Sequence, residues 1–193
     1  MNTQFTFGAT TLRLHRWPLS QPNHSLQAWD AADELILEQA LPLYTALQAT
    51  QQHPVRLLIL NDAFGALSCA MSAAVPEATV QYLVQDSVLS QQACHHNRVQ
   101  NDLPSNEIVE LSSLAPLPAA PQLVLFKLPA NHSYLAFQLA ALSKVLTAES
   151  TLLVAAKAKD INRNVLALFA QFIGPTQASL TIKKCRYIET TFQ

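Results

Sequence analysis

Apolar residues follow two rhythms along these 193 residues. The first is the short, nearly unbroken run: Val55-Arg56-Leu57-Leu58-Ile59-Leu60, Ala78 to Val84, Leu123-Val124-Leu125-Phe126 and Thr151-Leu152-Leu153-Val154. Runs without polar alternation mark strands covered on both faces, the habit of parallel sheets. The second rhythm has spacings of three and four and marks helices. It predicts a helix over residues 26–49, with Ser25 as N-cap and a stripe of Trp29, Ala32, Ile36, Ala40, Leu43 and Leu47. Pro42 is expected to end or kink that helix. Further helices are predicted over residues 65–74, 87–100, 133–146 and 161–173, the last stopped by Gly174-Pro175. Residues 107–111 read as a short third strand. Residues 5–7 and 10–17 read as an N-terminal strand pair. Residues 178–192 contain no Gly, Pro or Asn-Gly turn and read as one long strand, with the N-terminal strand completing the sheet.

Strand and helix alternate at least four times. That pattern specifies an α/β fold: a doubly wound, mostly parallel sheet with helices on both faces. Residues 1–50 form a strand-and-helix extension and residues 54–193 a Rossmann-like core. Ligands of such folds sit at the carboxyl ends of the strands. The positions to inspect are therefore Asn61 to Gly65, Gln85-Asp86 and Lys127 to Ala130.

Composition narrows what those positions can do. Half of the residues are apolar and 13% are charged, which excludes a disordered chain. Only three glycines occur, Gly8, Gly65 and Gly174, so a glycine-rich phosphate cradle is excluded. The loop after the first core strand, Leu60-Asn61-Asp62-Ala63-Phe64-Gly65-Ala66, has one glycine and a bulky phenylalanine. Asp86 stands where an acid accepts hydrogen bonds from a ribose, and equally where a helix is capped. Lys127 closes a core strand and cannot accept a hydrogen bond.

Other chemistries find no support. His95 and His96 point about 100° apart on a helix and make poor joint ligands, so both read as surface histidines. Cys69, Cys94 and Cys185 form no CxxC pair, which indicates neither a disulfide framework nor a zinc site. Cys69 reads as a core residue. GxSxG is missing and no Ser-His-Asp arrangement has context. No catalytic residue and no metal site is assigned. No signal peptide or membrane-length apolar run opens the chain, and a cytoplasmic location is expected.

The net charge of −1 conceals a split. Residues 1–110 carry ten acids and four bases, a net −6, while residues 111–193 carry eight bases and three acids, a net +5. Such asymmetry is a hint of a polyanion-binding face, against the alternative that it averages out on folding.

Several stretches carry a resemblance. They are Leu26-Gln27-Ala28-Trp29-Asp30-Ala31-Ala32-Asp33-Glu34 and Ile59-Leu60-Asn61-Asp62-Ala63-Phe64-Gly65-Ala66-Leu67-Ser68. Ala156-Lys157-Ala158-Lys159-Asp160-Ile161, Gly174-Pro175-Thr176 and Lys183-Lys184-Cys185-Arg186 continue it in order. Together they resemble the N-terminal half of the ribosomal RNA large subunit methyltransferase G family, from about Thr10 to Phe192. These are S-adenosylmethionine-dependent guanine-N2 methyltransferases of 23S rRNA, related to a small-subunit type C family. The resemblance implies a class I methyltransferase-like domain with a degenerate cofactor loop, duplicated from a catalytic copy that lies C-terminal and outside these residues. It implies that S-adenosylmethionine is bound by that copy, whose Asn-Pro-Pro-aromatic motif has Lys127-Leu128-Pro129-Ala130 in its place here. Asp62, Gly65 and Asp86 are then vestigial cofactor positions. The expected partners are large-subunit rRNA and the C-terminal catalytic domain, with no membrane and no metal. Lys157, Lys159, Arg163, Lys183, Lys184 and Arg186 are the expected phosphate contacts. The alternatives are a stand-alone S-adenosylmethionine-dependent methyltransferase, using Asp62, Gly65 and Asp86, and a purely structural interaction domain.

Overall fold

A computed structural model describes residues 3–19, 26–74, 80–105 and 107–193. Its main sheet has seven strands: β3 (Arg56–Leu60), β4 (Val80–Val84), β5 (Ile108–Leu111), β6 (Leu123–Lys127), β7 (Thr151–Lys157), β8 (Thr176–Ala178) and β9 (Cys185–Thr190). They lie in the order β5-β4-β3-β6-β7-β9-β8. Five run parallel, and β9 is antiparallel to both of its neighbours, β7 and β8.

The unbroken apolar runs are explained by what covers them. Leu57, Ile59, Leu123, Leu125 and Leu153 face a cluster completed by α1 (Ala31–Thr50), α2 (Ala66–Ala74) and Cys94 of α3 (Val88–Gln100). Leu58, Leu60, Val124, Phe126 and Val154 face the opposite cluster, with α4 (His132–Ser143) and α5 (Arg163–Phe172). Successive residues of one strand thus feed two cores, as the two-residue repeat of a strand requires. Cys69 is buried as expected, and so are Cys94 and Cys185.

Three expectations need correction. α1 starts at Ala31, not near Leu26, and its N-cap is Asp30. The Asp30 carboxylate accepts from the Asp33 amide at 2.9 Å, and Asp33 returns the bond at 3.0 Å, a reciprocal capping box. Ser25 lies outside the described residues. Pro42 does not end α1. It sits on the exposed side with Glu38, whose carbonyl loses its helical donor where water can replace it, while Ala40 and Tyr44 stay buried.

The third correction concerns both ends of the chain. β1 (Gln4–Phe7) and β2 (Thr10–Arg13) form a separate two-stranded antiparallel sheet and do not complete the main one. Phe5 and Leu12 bury instead in the cluster that α1 and α2 complete, Phe5 with its ring 5.0 Å from Trp29. The C-terminal segment is a hairpin of β8 and β9, not one strand. Its turn has no glycine because Lys183 and Lys184 themselves take left-handed backbone, at φ 51° and 65°. Ile182 and Cys185 exchange both backbone hydrogen bonds around them, at 2.7 and 2.9 Å. This is the geometry of a two-residue hairpin turn, which Asn-Gly ordinarily fills.

Candidate functional site

The carboxyl edge of the sheet carries the three loops that the sequence singled out, after β3, β4 and β6. At its β3–β4 corner, Asp62 is buried and accepts from the Ser68 amide at 2.9 Å and the Leu67 amide at 3.3 Å. It caps the first turn of α2. Burial raises its pKa, and those two amides offset part of the rise. Gly65 has φ +90°, and a Cβ there would stand 2.9 Å from the Cα of Cys94 on α3. The glycine is required by packing between helices. Phe64 lies under the Arg16 guanidinium, 5.0 Å from the ring centre. Asn97 ties the loop to the N-terminal arm, donating to the Phe64 carbonyl at 2.8 Å and to the His15 carbonyl at 2.9 Å.

Asp86 is exposed, but its oxygens are in use. One accepts from the Ser113 amide at 2.7 Å; the other accepts from the Ser113 hydroxyl and, at 3.4 Å, from Tyr134. The Ser113 hydroxyl and amide hold its carboxyl below the usual range. The helix cap expected of Asp86 belongs to Ser87, whose hydroxyl accepts from the Ser90 amide at 3.2 Å. The cavity left between Asp62, Gln85, Gln91 and Cys94 is about 20 Å³, room for about one water.

In the middle of the edge, β6 ends in Lys127. Its ammonium lies 2.8 Å from Asp30 and 2.9 Å from Asp33, with 14% of the side chain exposed. Burial disfavours the ammonium, but the two carboxylates outweigh it and raise its pKa. Burial pushes Asp33 up to about 7 despite Lys127. For Asp30, burial is outweighed by Lys127 and the pKa falls. Asp30 and Asp33 take no role in the sequence reading beyond their place in the Leu26 to Glu34 stretch. The signal for the clamp was Lys127 itself, because a lysine closing a buried strand needs a partner.

The far end of the edge is open. Lys157 at the end of β7, Lys159 in the following 3-10 turn (Ala158–Asp160) and Lys183 and Lys184 of the hairpin line one cavity of about 590 Å³. Asp30, Ala31, Thr181 and Cys185 share its wall. Four of the six basic residues named from the sequence therefore converge. Lys183 lies 3.7 Å from Glu34, both exposed. The other two sit elsewhere: Arg163 is exposed on the first turn of α5, and Arg186 donates to the carbonyls of Ser179 at 2.6 Å and Ala178 at 3.4 Å.

The histidine pair divides. His95 is exposed, while His96 is half-buried, with its ring 5.2 Å from Trp17 and its buried Nε2 without a partner. Among the described residues no group of three His, Cys, Asp or Glu is placed to hold a metal ion. Among them, too, no helix is long and apolar enough to cross a membrane.

The strand order, with β9 reversed, together with helices on both faces, defines a class I methyltransferase fold. A T. thermophilus 16S rRNA N2 methyltransferase, solved with AdoMet and guanosine, aligns at a TM-score of 0.68 and 14% identity, over 98% of this chain and 50% of that one. A precorrin-6y C5,15-methyltransferase from Geobacter metallireducens aligns at 0.59 and 10% identity, over 80% and 88%. The chain belongs to the RLMG N-terminal domain family, whose model matches residues 2–193. Among curated relatives, ribosomal RNA large subunit methyltransferase G of Pseudoalteromonas translucida is 42% identical over 97% of this chain, and that of Erwinia tasmaniensis is 41% identical over 98%. The chain spans about half the length of these relatives, 47% of each.

Proposed function

We propose that this chain is the RNA-holding and scaffold half of an S-adenosylmethionine-dependent guanine-N2 methyltransferase of large-subunit rRNA, acting in the cytoplasm. Catalysis and cofactor binding belong to the other half of the polypeptide, its partner domain. The observation that carries this reading is the convergence of Lys157, Lys159, Lys183 and Lys184, from two segments far apart in sequence, on one open cavity. Lysines at that density favour a polyphosphate backbone, which they position without reading its sequence.

The β3–β4 corner supports the division of labour. An adenosyl cofactor needs ribose acceptors and a close backbone approach. Here Asp86 is engaged by Ser113 and Tyr134, the space facing Gly65 holds Cys94, and the cavity is about 20 Å³. The residues present do not fit that group. The chain's own contribution is electrostatic: four ammonium groups hold phosphates, and a rigid sheet edge fixes their spacing.

Gel-shift titration of large-subunit rRNA fragments against salt tests the reading. Binding is expected at low salt, weakening with a log–log slope that loses about 3 in magnitude when all four lysines are changed to glutamate. No binding at low salt overturns it. Heat of binding on titrating S-adenosylmethionine into the chain overturns the non-catalytic part.

A further inference from the structure

The hairpin that supplies Lys183 and Lys184 also displays a leucine. Leu180 is 86% exposed and Ile182 is 44% exposed. A lone exposed leucine is commonplace. This one is set apart by how firmly its loop is held and by what flanks it. Ser179 donates its amide to the Tyr187 carbonyl at 3.0 Å and accepts the Tyr187 amide on its hydroxyl oxygen at 2.9 Å. Arg186 clamps the Ser179 carbonyl at 2.6 Å. Ile182 and Cys185 close the far side with their paired backbone bonds. Thr181, between the two apolar residues, lines the lysine cavity. Exposed apolar side chains on a held backbone beside several lysines suit a ligand with charged rails and stackable apolar faces between them.

We propose that Leu180, supported by Ile182, is a wedge that enters the base stack of the bound RNA and separates neighbouring bases. The flanking lysines hold the phosphates on either side, and an unstacked nucleotide is received in the 590 Å³ cavity. Apolar wedges that unstack a base step beside basic contacts are an established physical device in nucleic-acid binding. The consecutive left-handed lysines fit the same role, because non-glycine residues held in sparsely populated backbone concentrate where a site over-determines them. This inference rests on the RNA-holding reading above.

The test uses the 193-residue chain and an RNA stem-loop carrying 2-aminopurine within its stem. Saturating wild-type protein is expected to raise the probe's fluorescence several-fold. The L180S/I182S variant, whose changed side chains lie at the surface, is expected to bind within about threefold of wild type and to lose most of that rise. Leu180→Met, which keeps an apolar wedge, is expected to retain it. Wild-type binding with flat fluorescence, or a full rise with L180S/I182S, overturns the wedge and leaves the RNA-holding reading intact. Absence of wild-type binding at low salt overturns that reading and the wedge with it.

Discussion

Two ends of one sheet edge have opposite fates. At the β3–β4 corner, each polar group that a ligand would need is bonded to the chain's own atoms: Asp62 to α2, Asp86 to Ser113, Asn97 to the loop carbonyl. At the β7–β9 end, Lys157, Lys159, Lys183 and Lys184 line open space, with Lys183 3.7 Å from Glu34. Between them stands the Lys127 clamp. The fold alone does not decide which end stays open. Local side-chain satisfaction does, because a donor or acceptor already paired inside gains little from a ligand.

The sharpest way to break this contrast is to remove the clamp. Lys127→Ala leaves two adjacent carboxylates, Asp33 among them almost wholly buried, without their cation. Above the Asp33 pKa of about 7, an expected loss of up to about 3–5 kcal/mol follows from stranding a buried charge, and proton uptake by Asp33 reduces it at lower pH. Urea denaturation measures it, and adding Asp33→Asn returns part of the loss. A change below about 1 kcal/mol means that the clamp does not lock the edge.

The next effect tests the closed corner. Gly65→Ala forces a Cβ against the backbone of Cys94 at a left-handed φ. The strain and overpacking together are expected to cost about 2–4 kcal/mol with no ligand present. A thermally unchanged variant would mean that the glycine serves an incoming group and not the helix packing.

The last effect is graded, a pH dependence. Asp33 holds its proton up to about pH 7 in the folded chain, against 3.8 for an unperturbed aspartate. The folded state therefore binds the extra proton across that window, and stability falls as pH rises from about 4 to 7. The slope from this one group is at most about 1.4 kcal/mol per pH unit. Asp33→Asn is expected to flatten the profile, as read by denaturation midpoints at a series of pH values.

Much of this architecture is visible in the chain itself. Leu57 to Leu60 and Leu123 to Phe126 are apolar at every position because both faces are covered, and that pattern exists before folding. The hairpin was illegible for a local reason. Turn chemistry is ordinarily announced by glycine or asparagine, and here two lysines take the left-handed positions. The start of α1 was misplaced because an apolar stripe continues past the cap, into Trp29 and Leu26, and only the Asp30–Asp33 reciprocity marks the boundary. The Lys127 clamp joins residues 97 apart in sequence, which no periodicity reports. Convergence of the basic residues was only half legible. Charge along the chain is countable, but Arg186 points its donors into the hairpin and Arg163 lies on another element.

The two left-handed lysines have one more consequence, for how this domain can change over generations. Replacing Lys183-Lys184 by Asn-Gly would relax the turn, since both new residues adopt that backbone readily, and the domain would become more robust. The same exchange would strip two cations from the cavity rim. Selection for durability and selection for a charged rim therefore pull these two codons in opposite directions.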